Sequence, residues 1–300
     1  MPDEPRDISV ILEKPECGIF EVSRAEYDAI PAMNCSSIKA GVDIDGRSYV
    51  GNPRLIRHAW QNPGGEERTA AQQDTLDFGT AMHLAVLEPT RFADEVVHFS
   101  GTRRGKKWDE FCEEHQGKLI LKTSGKHGYD NIGKVLNAIT ELAEFELLDP
   151  YLAECQREIA VVHYENGMAK KGLLDMPSKS GRAYLDLKTT AVASWSKYDN
   201  VSFSLGYWLS MGSYAKWWNE YSPWKIERCI QVVVVVTPPY DLLIRPMDPM
   251  SLNFGWETQL RACDALRDAI RTDTWYGTGG GLELPLLLPT WAIPDDTEFT

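Results

Sequence analysis

The sequence predicts an α/β fold, a mixed central sheet flanked by helices, and three observations carry that expectation. Ile230-Gln231-Val232-Val233-Val234-Val235-Val236 is β-branched almost throughout, which is the composition of a strand buried on both faces. Two strand-like runs, 157–164 and 168–175, flank Glu165-Asn166-Gly167, whose Asn-Gly pair signals a two-residue hairpin turn. Helical periodicity surrounds them. Ile132, Val135, Leu136, Ile139, Leu142 and Ala143 mark one amphipathic helix over 129–148. Leu252, Leu260, Ala265, Leu266 and Ile270 mark another over 251–271.

Taken in order, residues 1–30 read as an extended arm with short strands around Ile8, Val10, Ile11, Ile19 and Phe20, leaving 31–300 as one domain. Asn34-Cys35-Ser36-Ser37-Ile38-Lys39 reads as a capping residue and a short helix. The stretch from Gly41 to Tyr49 is polar and turn-rich, and 62–68 is a loop by composition. A helix is expected over 74–87 and ends before Pro89. Its small residues Gly79, Ala81 and Ala85 permit close approach of another backbone. Thr102-Arg103-Arg104-Gly105-Lys106-Lys107-Trp108 is a dense basic cluster. Two readings stand there: a solvated loop, or a loop that grips nucleic-acid phosphates through Arg103, Arg104, Lys106 and Lys107 and stacks a base on Trp108. After the hairpin, 177–182 turns the chain into a third strand over 183–188, giving a three-strand meander. Residues 194–221 are helical and rich in aromatic rings, with a break near Ser204-Leu205-Gly206. Pro238-Pro239 turns the chain from the buried strand into a partner over 241–245.

The bulk properties narrow the function. Net charge is −13, which excludes coating of nucleic acid by bulk attraction but not a groove with local positive charge. The six cysteines contain no C-x-x-C pair, so reduced thiols are expected rather than a zinc site or a disulfide framework. No apolar run reaches the length of a membrane span, and Met1-Pro2-Asp3-Glu4-Pro5-Arg6-Asp7 lacks a signal-peptide pattern. A cytoplasmic location is the expectation.

The chemistry centres on Asp175 and on Asp186-Leu187-Lys188. In a strand, Asp186 and Lys188 leave the same face while Leu185 and Leu187 point into a core. The meander places Asp175 at the end of one strand and Asp186 within the next. Two carboxylates and an ammonium at one spot suit metal-assisted hydrolysis of a phosphodiester, since Mg²⁺ takes one or two carboxylates plus phosphate oxygens. Taken alone, a D-x-K is so common that an exposed ion pair near a hairpin end is the favoured reading.

In chain order, Phe78-Gly79-Thr80-Ala81-Met82-His83 with Leu87-Glu88-Pro89, the hairpin ending in Asp175, Asp186-Leu187-Lys188-Thr189-Thr190, and a helix carrying Tyr207 and Tyr214 together resemble the PD-(D/E)xK nuclease superfamily. The resemblance is to its RecB-like branch and the RecE-type exonuclease VIII nuclease domain, running from Ser36-Ser37 to the long C-terminal helix. It implies a restriction-endonuclease-like core. It further implies that His83, Asp175 and Asp186 are ligands of Mg²⁺ (or Mn²⁺), that Lys188 positions the attacking water, and that Tyr214 belongs to the catalytic constellation. Glu158 matches an acidic position that either helps bind metal or pairs on the surface. The activity implied is exonucleolytic hydrolysis of linear double-stranded DNA, 5′ to 3′. The setting implied is phage-type recombination, beside a single-strand annealing protein and as a ring-like homo-oligomer. Two rival readings are a structure-specific or defence endonuclease of the same fold, and a non-catalytic DNA-binding protein on a decayed nuclease fold. The chain departs from the resemblance at Ser210, where the helix motif Gln-x-x-x-Tyr has glutamine.

Overall fold

The computed structural model describes residues 7–42, 52–62 and 68–277. Most of the turn-rich stretch after Gly41, the centre of the 62–68 loop and the Leu-rich tail lie outside the described residues.

The segment expected as an extended arm is built into the fold. A 3-10 turn, Ile8–Leu12, buries Ile8 and Ile11. Strand β1 (Gly18–Glu21) then forms a sheet edge, and α1 (Arg24–Ala29) starts at a capping box between Ser23 and Glu26. β2 (Met33–Asn34) leads into α2 (Cys35–Lys39), where the Asn34 side chain accepts from the Ser37 N–H at 2.8 Å. Helix α3 (Pro53–Gln61) has proline in its first turn. Helix α4 (Ala70–Leu87) begins four residues before the expected start, at a Thr69–Gln72 capping box. Pro89 ends it by starting α5 (Pro89–Glu95).

β3 (Val96–Phe99) and β4 (Leu119–Lys122) pair in parallel around α6 (Lys106–Glu114). The expected long helix over 129–148 is shorter: α7 (Tyr129–Thr140) stops, and α8 (Ala143–Glu146) and α9 (Asp149–Leu152) follow as single turns. Leu142, Phe145, Leu148 and Leu152 still pack with the core, so the apolar spacing persists past the end of α7.

Strands β5 (Ile159–Glu165) and β6 (Met168–Leu174) form the hairpin that the Asn-Gly pair predicts, with Asn166 and Gly167 both at positive φ (53° and 77°). The meander is corrected at Asp175. There the chain leaves the first sheet, order β1-β5-β6-β2, and enters a second one. The short β7 (Met176–Ser178), not β6, pairs with β8 (Ala183–Thr190). Only a single bend residue, Asp175, separates β6 from β7, so the change of sheet has no strong local signature. Helices α10 (Trp195–Ser204) and α11 (Tyr207–Tyr221) are separated at Gly206, whose φ of 65° suits glycine. β9 (Arg228–Val235) pairs in parallel with β8 and antiparallel with β10 (Asp241–Pro246), completing the order β10-β9-β8-β7. Helix α12 (Pro249–Thr272) closes the described chain.

The second sheet divides two cores. Ala183, Leu185 and Leu187 of β8, with Ile230, Val232 and Val234 of β9, face α4 and α7. The other core joins the first sheet to α2, α3, α11 and α12 through Ile38, Trp208, Trp217 and Leu266. Helices α11 and α12 touch backbone to backbone: a Cβ on Gly212 would lie 2.1 Å from the Leu252 carbonyl oxygen, and one on Gly255 equally close to that of Trp208. No helix among the described residues is long and apolar enough to cross a membrane.

Candidate metal centre and catalytic cavity

The Asn-Gly turn sets the first half of the site. Its register pairs Ile159 with Leu174, so the next residues outward, Glu158 and Asp175, are opposed, and the Glu158 N–H donates to the Asp175 carbonyl at 3.0 Å. Glu158 holds φ at 50°, a strained value for a non-glycine residue. Helix α4 crosses the outer face of this corner. A Cβ on Gly79 would sit 3.6 Å from Thr189 Oγ1, an ordinary contact distance, so this face of α4 lies against the end of β8. One turn on, His83 Nδ1 lies 3.9 Å from Asp175 Oδ2. Donor atoms of His83, Glu158 and Asp175 all fall within 4.8 Å of one another. This donor set, an imidazole and two carboxylates, fits a hard divalent cation such as Mg²⁺ or Mn²⁺ better than a thiolate-seeking metal.

Both carboxyl groups of the cluster are shifted upward. Burial, the Asp175 carboxylate and Glu88 together push Glu158 up to about 7. Burial likewise raises Asp175 against the opposing pull of Lys188 and His83. Beside Glu158 opens a cavity of about 570 Å³ that also reaches Glu88 and Arg91. The Arg91 guanidinium is held by Glu88 at 2.6 Å and Glu95 at 2.8 Å.

Strand β8 carries the second half. Asp175 Oδ2 accepts from the Leu187 N–H at 2.8 Å, tying the sheet crossover to the D-x-K strand. Asp186 is buried, accepts from the Tyr184 hydroxyl at 2.7 Å, and has Lys188 Nζ 2.7 Å from its Oδ2. That last contact is an ion pair. Oδ2 accepts no well-aligned hydrogen bond and is shielded from solvent. Asp186 stands beside the His83–Glu158–Asp175 cluster, not inside it, with its Oδ2 engaged by the Lys188 ammonium. Burial pulls the Lys188 ammonium down, but Asp186 and Asp175 outweigh it and hold the group above the ordinary lysine range. Its charge is permanent near neutral pH.

A cavity of about 210 Å³ joins Asp175, Asp186, Lys188, Ser210 and Tyr214 with Tyr207 and with Ser36 and Lys39 of α2. Tyr214 is fixed by packing: a Cβ on Gly172 would lie 2.5 Å from its Cε1, so glycine there makes room for the ring. Ser210 turns its hydroxyl back to the Tyr207 carbonyl at 3.0 Å and offers the cavity no reaching group. The Lys188 ammonium sits 5.0 Å from the Tyr207 ring centre.

The basic cluster lies elsewhere and divides. Arg103 donates to Asp74 at 2.8 Å and to the Ile120 carbonyl at 2.6 Å, so it ties α4 to β4. Lys106, Lys107 and Trp108 form the first turn of α6 rather than a loop. Lys106 faces Glu110 at 3.6 Å, and Trp108 packs edge-on against Phe99 beneath Arg103. Arg104 and Lys107 remain exposed. Sequence reasoning left Glu158 undecided and passed over Lys39. Glu158 was available from the hairpin arithmetic, because it and Asp175 are equally distant from the Asn-Gly turn. For Lys39 no local signal exists.

The sequence profile of the family described as PDDEXK-like domain of unknown function (DUF3799) matches residues 57–278. Among solved structures, the fold is similar to a crystal structure from Eubacterium rectale, described as a "putative exonuclease". The TM-score is 0.55 at 12% identity, over 93% of this chain and 100% of that one. No curated protein matches the chain.

Proposed function

Since the chain belongs to the PDDEXK-like family matched over residues 57–278, we propose that it is a metal-dependent deoxyribonuclease degrading linear double-stranded DNA from its ends, 5′ to 3′. One observation carries the reading: the His83–Glu158–Asp175 cluster lies beside the Asp186–Lys188 ion pair. His83, Glu158 and Asp175 would hold a Mg²⁺ or Mn²⁺ ion, with the Asp186 carboxylate beside them. When bound, such an ion supplies neutralisation of phosphate charge and a water of lowered pKa. Asp186 and Asp175 favour the charged form of Lys188. Its role is to orient the attacking water by hydrogen bonding and to offset negative charge gathering on the phosphate. Tyr184 and the Leu187 N–H fix the two carboxylates, and Tyr214 walls the cavity.

End-directed attack and polarity rest on the likeness to RecE-type nucleases, as does work in recombination with an annealing protein and as a ring of copies. The test is digestion of end-labelled linear duplex with Mg²⁺. Early release of 5′ label, retained 3′ label and intact closed circles support the reading. Cutting of circles favours an endonuclease instead, and no cleavage with Mg²⁺ or Mn²⁺ favours a binding protein.

A further inference from the structure

Beyond Asp186 the second sheet carries polar side chains that the metal chemistry does not use. Asp186 of β8 pairs with Gln231 of β9, and Gln231 with Arg245 of β10, so the three leave one face side by side. Gln231 is buried, and its Oε1 accepts from the Ser202 hydroxyl of α10 at 3.0 Å. Its Nε2 has no hydrogen-bond partner among the described residues. A buried amide that donates to nothing carries a free-energy penalty, which an acceptor on a ligand would relieve. Gln231 and Ser202 line a cavity of about 310 Å³, separate from the catalytic one.

Three rings wall that cavity: Phe203, Trp208 and Phe254. Trp208 lies between the other two, its centre 5.8 Å from Phe203 at 16° and 5.0 Å from Phe254 at 25°. Its indole N–H is spent on the Phe203 carbonyl at 3.1 Å, which leaves an apolar wall. Phe203 is 42% exposed, so ring surface is open to a planar group. The charges there are Arg245, which Asp199 already holds at 2.5 Å, and a second carboxylate, Asp248. Two carboxylates against one paired cation repel a phosphate but accept from ring N–H and amino groups.

We propose that this cavity binds a nucleobase, stacked on the Phe203 wall, with an acceptor on its edge taking the free Gln231 N–H. The inference rests on the proposed nuclease reading and deepens it. Neighbouring strands are about 4.8 Å apart, so the base is held one strand away from Asp186 while the catalytic cavity handles phosphate.

The test is titration calorimetry of the full chain with each of the four deoxynucleosides, which carry no phosphate, for wild type, Gln231→Leu and Phe203→Ala. Wild type should bind at least one of them, and each variant should weaken it about tenfold. Phe203 is partly exposed, so Phe203→Ala serves even if Gln231→Leu lowers the melting temperature. A linear duplex with one abasic nucleotide stepped along either strand, bound in Ca²⁺ in place of Mg²⁺, separates the sources of the base. One position that weakens binding to wild type but not to Gln231→Leu assigns the cavity to a base of the substrate. No such position, with deoxynucleoside inhibiting cleavage, assigns it to a released nucleotide. Absence of deoxynucleoside binding in a wild type that cuts DNA, or binding unaltered in both variants, overturns the cavity's role. Deoxynucleoside binding lost in both variants of a protein that cuts no DNA keeps the cavity and fails the nuclease reading instead.

Discussion

Replacing Glu158 with glutamine should make the metal-free protein more stable above neutral pH while removing its activity. The folded protein holds Glu158 at about 7, against an ordinary 4.5, because burial and the carboxylates of Asp175 and Glu88 disfavour its charge. Between those values the folded state binds more protons than the unfolded chain, so stability falls as pH rises through that window. A shift of this size corresponds at most to about 3 kcal/mol, and partial exposure of the side chain reduces it to on the order of 2 kcal/mol. For a chain of this size that is about 3 °C in melting temperature. Glutamine keeps the shape and cannot ionise, so this component vanishes. The assay is thermal denaturation of chelator-treated wild type and Glu158→Gln at pH 5 and pH 8. The variant should gain on wild type at pH 8 and match it closely at pH 5. A difference equal at both pH values would refute the claim that Glu158 is a strained, partly protonated carboxylate.

Other consequences follow from the same geometry. Asp186→Asn and Lys188→Ala should each lower cleavage of linear duplex by about 100-fold or more, read as initial rates, since each removes charge at the reacting phosphate. Gly172→Ala forces a methyl group against Tyr214 and should cost about 1–3 kcal/mol in denaturant unfolding, with activity falling as the ring shifts. Arg103→Ala should lower the melting temperature by severing the tie from Asp74 to β4, with DNA affinity little changed. Lys107→Ala should leave melting unchanged, and any loss of DNA affinity should shrink as salt is raised.

How far the sequence could be read depends on whether each feature is local. The Asn166-Gly167 turn, the alternation through Asp186-Leu187-Lys188 and the break at Gly206 are stated by neighbouring residues, and the structure has each of them. The passage from one sheet to the other at Asp175 is not, because extended chain resumes directly after Asp175 while the hydrogen-bonding partner changes. The helix that stops at Thr140 fails for a related reason: apolar spacing survives in the turns beyond it. The supposed arm joins the first sheet because Ile19 and Phe20 find a partner strand more than a hundred residues away. Arg103 looked like a phosphate contact only because Asp74, its partner, lies on another helix. Lys39 reaches the cavity by packing of α2 against α11, which no spacing in the sequence encodes.

The central claim is that one divalent ion and the nuclease reaction share the His83–Glu158–Asp175 corner. It is tested by titrating Mn²⁺ into wild type, His83→Ala and Asp175→Asn, following free Mn²⁺ by electron paramagnetic resonance and assaying linear-duplex cleavage in the same samples. Wild type should take up the ion and cut, and both variants should lose uptake and cleavage together. Uptake unchanged in Asp175→Asn, or cleavage by wild type that persists in excess chelator, would contradict the account.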